Sequence, residues 1–149
     1  MAGPANSSSK TPWHLWVVGV VSLLWNAVGV TDFLITETGK AAAVGNFTPR
    51  QLEYFNGFPL WVITVWGMAV FGGLGGSLLL LFRTRLAVPV FVASMVGMIL
   101  TDLYNYVLTN GLEIMGAGKS ALIFPAIIFT IGLLLWFYAR AMRARGVLR

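Results

Sequence analysis

The sequence contains no cysteine and a single histidine, His14. Without thiols the chain cannot form a disulfide, an iron–sulfur cluster or a thiolate metal site. One imidazole also cannot supply both histidine ligands of a haem within one chain. We therefore predict no metal and no cofactor, and we place His14 at a membrane interface.

Charged residues are also scarce. Of the 149 residues only 10% are charged and 58% are hydrophobic, and the mean hydropathy is +0.81. A soluble domain has about a quarter of its residues charged, so lipid must be the solvent for most of this surface. The net charge of +5 does not indicate a nucleic-acid partner, because the basic residues lie at the ends of apolar segments.

Four apolar segments come close to the roughly 20 residues needed to cross a hydrocarbon core. They lie at about 13–35, 59–82, 86–108 and 121–139. Lipid offers the backbone no hydrogen-bond partners, and the alternation of a β-barrel is absent, so each segment should be a helix. The sequence thus predicts an all-α integral membrane protein. Its four-transmembrane-helix bundle is one domain over 13–142, between a disordered cytoplasmic tail, 1–12, and a basic cytoplasmic tail, 143–149.

The first connection between spans contains a short helix of its own. The segment Thr48-Pro49-Arg50-Gln51 matches a capping box with proline at the first helical position. Asn56-Gly57 is typical of a helix end. We predict an amphipathic helix over about 49–56 in the first outer loop. It is either a helix that stays on the surface or a lid that moves.

Lysine and arginine counts predict the orientation. An even number of spans places both termini and the 83–85 turn on one side. Seven basic residues fall on that side and three on the other. The seven are Lys10, Arg83, Arg85, Arg140, Arg143, Arg145 and Arg149; the three are Lys40, Arg50 and Lys119. By the positive-inside rule, both termini are expected in the cytoplasm.

Small residues recur at helical spacing in the second span. Gly72 and Gly76 form a GxxxG pattern, and Gly73 and Ser77 repeat it one residue later. Small residues let membrane helices approach closely. These four are the predicted helix-packing residues, and their partner is either in this chain or in a second copy.

Two acidic residues, Asp32 and Asp102, lie within the spans. Ionisable groups at membrane depth are costly and mark functional sites. Both are near helix C-terminal ends, where the macrodipole disfavours negative charge, so a cation or a proton should compensate them.

Spacing brings further polar residues to the two acids. Trp25 lies seven residues before Asp32, and Asn105 and Tyr106 follow Asp102 by three and four residues, so each group shares a helix face. We predict an outward-facing pocket, with Asp32 either part of it or merely interfacial. Its ligand-binding residues would be Trp25, Asn26, Asp32, Asp102, Asn105 and Tyr106.

Two segments resemble a group of small, uncharacterised bacterial inner-membrane proteins, whose members are often labelled sugar transporters. The W-N-x-x-G-x-x-D pattern from Trp25 to Asp32 and the FTPxQLxYF segment, 47–55, are the most distinctive parts. The similarity covers nearly the whole chain. It implies four helices and a bacterial inner membrane. The chain departs from small multidrug transporters, which use a glutamate in the first helix, because the predicted spans contain no glutamate.

Two functions remain open from sequence alone. The first is an oligomeric transporter of a small solute, using the six pocket residues. The second is a non-catalytic accessory or assembly subunit of a larger membrane complex, which would dock through the Gly72 and Gly76 face. We predict no enzyme, because no nucleophile–base set or metal cluster is present.

Overall fold

The computed structural model describes residues 10–40, 45, 47–116 and 118–149, and these contain helices and no strand. The α-helices are α1 (Trp13–Glu37), α2 (Pro49–Asn56), α3 (Leu60–Leu81), α4 (Ala87–Leu103), α5 (Gly111–Ile114) and α6 (Ile123–Ala144). Helix α4 continues as a π-helical segment, Tyr104–Leu108, and a 3₁₀ turn, Gly118–Leu122, leads into α6. Residues 1–9 of the predicted N-terminal tail and the side chain of Lys119 lie outside the described residues.

Four helical segments are long and apolar enough to cross a membrane: Trp13–Glu37, Leu60–Leu81, Ala87–Leu108 and Ser120–Ala144. This confirms the all-helical fold with four candidate spans. Two bounds differ from the prediction. Helix α1 extends to Glu37, so a glutamate does end the first span, and α6 continues five residues past 139, to Ala144. Helix α6 continues past Arg140 and Arg143, because long basic side chains can extend from a helix to reach water.

The spans pack in chain order. Helix α3 lies between α1 and α4, and α6 packs on α4. We call the end at which α1 begins and α6 ends the terminal end, and the end that holds α2 and α5 the loop end. The largest buried cluster is at the terminal end, where Leu15, Leu80, Phe91, Ala139 and Leu148 meet.

The small residues of α3 face helices of the same chain. A Cβ atom on Gly72 would lie 3.0 Å from the Ser94 Cβ of α4, and one on Gly76 would lie 2.7 Å from the Phe91 ring. The Ser94 hydroxyl also donates a hydrogen bond to the Ala69 carbonyl at 2.5 Å. The Gly72 and Gly76 face is therefore occupied by α4, and a second copy cannot use it while α4 is in place.

The segment predicted as a basic tail packs against the bundle. Arg149 N–H donates to the Arg83 carbonyl at 2.7 Å, and Arg85 N–H donates to the Arg149 carbonyl at 3.0 Å. Val147 and Leu148 are buried between these contacts. Arg83 adopts a left-handed φ of 57°, which reverses the chain between α3 and α4. The two apolar side chains explain why the segment returns instead of entering water.

Candidate functional site

Asn26 connects two helices. Its Nδ2 donates to the Ser22 carbonyl at 2.8 Å and to the Ser77 hydroxyl of α3 at 3.2 Å. Ser77 in turn donates to the Gly73 carbonyl at 2.9 Å. A Cβ atom on Gly73 would collide with Asn26 Oδ1. Asn26, Gly73 and Ser77 therefore form one polar contact between α1 and α3, as is common between membrane helices.

Asp32 and Trp25 lie on the surface of α1. Both side chains are exposed, and among the described residues the Asp32 carboxylate has no hydrogen-bond or ion-pair partner. Only the Asp32 main-chain carbonyl is engaged, accepting a hydrogen bond from the Thr36 hydroxyl at 2.9 Å. This placement fits the interfacial interpretation of Asp32.

Asp102 is more enclosed. Its side chain is half-buried, and no residue that the structure describes gives its carboxylate a hydrogen bond or an ion pair. The preceding Thr101 is buried and donates back to the Gly97 carbonyl at 2.8 Å. Asp102 thus lies inside a candidate span, two residues before the helix changes form at Tyr104.

The π-helical segment redirects the residues that follow Asp102. A π-helical turn closes with i→i+5 hydrogen bonds and holds more residues than an α-helical turn. Thr109 Oγ1 donates to the Tyr104 carbonyl, five residues earlier, at 2.9 Å. Tyr54 of α2 donates to Asn105 Oδ1 at 3.0 Å and lies 2.5 Å from Thr109 Oγ1. Asn105 is therefore bound to the surface helix.

Helix α2 has the predicted capping box. Thr48 Oγ1 accepts from Gln51 N–H at 3.3 Å, and Gln51 Oε1 accepts from Thr48 N–H at 2.9 Å. Aromatic rings then hold α2 on the bundle. Phe55 stacks on Trp66 of α3 with centroids 6.2 Å apart, and Tyr54 meets Phe58 at 5.2 Å. Helix α2 is therefore docked on the bundle.

A shallow cleft of about 430 Å³ opens between α2 and α5. It is lined by Arg50, Glu53, Tyr54, Gly57, Tyr104, Thr109 and Ile114. None of the six predicted pocket residues lines it, although Asn105 reaches it through Tyr54. Arg50 and Glu113 bridge its mouth at 3.1 Å, with about two thirds of each side chain exposed (65% and 68%). So exposed a pair adds little stability.

The Tyr54 phenol is kept neutral. Burial raises its pKa above the ordinary value, the neighbouring Tyr104 raises it further, and the hydrogen bond with Thr109 acts in the opposite direction. A neutral hydroxyl can donate to Asn105. Sequence reasoning missed Tyr54 and Thr109. The available signal was a tyrosine in the amphipathic helix and a threonine just after the third span.

Within the described residues, no three histidine, aspartate or glutamate side chains are placed to hold a metal ion. Comparisons with known protein families, with curated proteins and with solved structures yield no match to this chain. The resemblance to small bacterial inner-membrane proteins therefore stays a prediction.

Proposed function

We propose that the chain is a small multi-pass transporter of the bacterial inner membrane, with both termini in the cytoplasm, that acts as an oligomer. Asp102 would bind the cation of the cycle, either a proton or a positively charged group of the solute. The observation that carries this proposal is the half-buried Asp102 carboxylate, which has no partner among the described residues.

A carboxylate without a partner is costly within a membrane-spanning helix, and such residues mark ion and proton pathways. Asn26 and Asn105, by contrast, already have protein partners. Of the six predicted pocket residues, Asp102 therefore has the strongest case for a functional role.

The helix geometry beside Asp102 supports the same proposal. π-Helical turns occur frequently at functional sites, because they depart from the regular ladder. Here the π-helical segment connects the region of Asp102 to Tyr54 of the docked surface helix. Undocking of α2 would break the Tyr54 hydrogen bonds to Asn105 and Thr109 and open the loop end to water. Binding or release of the cation at Asp102 would then change the docking of α2.

The test uses liposomes that contain the purified protein and the pH-sensitive dye pyranine. A panel of monosaccharides, polyols and small organic cations is added outside, and the lumenal pH is recorded. We expect at least one solute to change the lumenal pH in the wild type. Asp102→Asn keeps the side-chain shape but cannot titrate, so it should abolish that response while thermal stability in detergent is retained.

Asp32→Asn is the matched control, because Asp32 is also an acid in a span but is exposed. It should keep most of the response. An Asp102→Asn protein that moves solute and protons as the wild type does would contradict the proposal.

A second candidate is the accessory subunit, and the exposure of α6 favours it. Only 6% of the most apolar window of Ser120–Ala144 is buried, against 22% for each other span. Ile123, Phe124 and Ile127 leave an apolar face open to another helix. Mild-detergent purification separates the two candidates. Self-association alone supports the transporter, and a stoichiometric foreign subunit supports the accessory role.

A further inference from the structure

A groove between α4 and α6 at the terminal end combines apolar and basic side chains. It has a volume of about 410 Å³ and is lined by Val88, Pro89, Val92, Trp136, Arg140 and Arg143. Its floor is apolar and comes from α4, whereas α6 supplies an indole and two guanidinium groups. Val92, which lines the groove, and Phe137, which packs against Trp136, are both exposed. The groove is thus on the lateral surface that faces the hydrocarbon in a membrane.

The indole N–H of Trp136 has no hydrogen-bond partner among the described residues. Its nitrogen atom, Nε1, is buried. A tryptophan at a membrane interface usually finds an acceptor for this N–H. The Arg140 guanidinium is 5.5 Å from the centroid of the same ring. The indole N–H is closed off from the surface, so the guanidinium over the ring is the group of this pair that an external anion can reach.

The charge around the groove has one sign. The terminal end holds seven of the ten basic residues. The five acidic residues all lie towards the loop end: Asp32, Glu37, Glu53, Asp102 and Glu113. No ion pair involves Arg140 or Arg143 within the described residues. Topology accounts for basic residues at this end, but it does not account for two guanidinium groups that line one groove with apolar residues of α4.

We propose that this groove binds an anionic phospholipid. The phosphate would accept hydrogen bonds from the exposed side chains of Arg140 and Arg143. The upper part of one acyl chain would lie along Val88, Pro89 and Val92. Basic pockets between membrane helices are suited to such headgroups, and guanidinium matches phosphate in geometry as well as charge.

Native mass spectrometry of the detergent-solubilised chain tests the proposal. The protein is titrated with phosphatidylglycerol and, separately, with phosphatidylcholine of the same acyl chains. We expect phosphatidylglycerol to bind about tenfold more tightly. Arg140→Gln and Arg143→Gln should each remove most of that preference, because one charge-assisted hydrogen bond corresponds to about tenfold in affinity.

Arg145→Gln is the matched control. Arg145 is an exposed arginine at the same end, and it does not line the groove. Retained preference in this variant, together with its loss in Arg140→Gln, supports a built site. Equal loss in both variants would show diffuse charge attraction and overturn the proposal.

Two competition experiments distinguish other occupants. Inorganic phosphate that displaces phosphatidylglycerol at equal concentration would show that the acyl chain is not recognised. An acidic peptide such as oligoglutamate that displaces it equally well would point to a protein partner. Either result, or equal binding of the two lipids by the wild type, overturns the proposal.

Discussion

Single glycines set how closely α3 and α4 approach. The tightest point is Gly97, where a Cβ atom would lie 2.5 Å from the Val65 carbonyl oxygen and 2.9 Å from the Ala69 nitrogen. Both are backbone atoms and cannot rotate away. The two central spans are therefore in backbone contact here, which maximises the packing that holds membrane helices together.

This geometry gives a stability prediction with an internal control. Gly97→Ala should lower the free energy of unfolding by about 1–3 kcal/mol, because the added methyl group overpacks the α3–α4 contact. Gly75→Ala should have no such cost, since nothing lies within 4 Å of its Cβ position, and it should gain up to about 1 kcal/mol of helix propensity. Thermal unfolding of both variants in the same detergent is the measurement. Equal midpoints would show that the helices do not touch at Gly97.

Some contacts of single residues are predictable from the sequence, and others are not. The small-xxx-small spacing of Gly72, Gly73, Gly76 and Ser77 predicts close packing, and the structure has it. The spacing alone could not tell which helix is the partner. The polarity of Asn26 within a predicted span indicates a pocket residue. The actual neighbour of Asn26 is Ser77, 51 residues away, and a contact at that separation has no local signature.

At the scale of elements, docking of α2 depends on one phenol. Tyr54 holds both Asn105 and Thr109. Tyr54→Phe should therefore weaken docking by about 1 kcal/mol, the net value of a typical hydrogen bond. Because the chain has no native cysteine, Glu53→Cys allows a single spin label on α2. A more mobile label in the Tyr54→Phe background is the expected result.

The same label gives a pH prediction. Burial raises the Tyr54 pKa in the docked state, so its stabilisation is complete below the ordinary phenol pKa of about 10 and is lost as the pH rises above it. Label mobility should increase in that alkaline range with Tyr54 present and not with Tyr54→Phe. Tyr138→Phe removes a tyrosine at the terminal end and should keep the wild-type profile. Identical profiles for all three proteins would show that Tyr54 does not control docking.

The approximate helix bounds are predictable from hydropathy. The capped surface helix is predictable from its capping box, Thr48 with Gln51. The π-helical segment is not. The expected shared face of Asp102, Asn105 and Tyr106 assumed a regular α-helix, and Tyr104–Leu108 departs from one. One of its contacts is tertiary, because Tyr54 of α2 donates to Asn105 within the segment.

For the whole molecule, orientation in the membrane remains a prediction. A reporter fused after Arg149 should be active in the cytoplasm, and one inserted near Gly45 should be active outside, because seven of the ten basic residues lie at the terminal end. Alkaline phosphatase and green fluorescent protein fusions measure the two cases. The reverse pattern would place α2 and the cleft in the cytoplasm. Removing positive charge from the terminal end, with Arg83→Gln and Arg85→Gln, should make the orientation mixed.

The order in which the spans pack bears on how the chain is made. Since α3 packs on α1, α4 on α3 and α6 on α4, each helix that leaves the ribosome finds its packing partner already synthesised. Contacts between consecutive spans close short loops and form quickly. The polar side chains of Asn26 and Ser77 can thus pair early in synthesis. The hydrogen bond between His14 and Tyr138, 2.5 Å long, joins the first candidate span to the fourth and can form only after α6 has been synthesised.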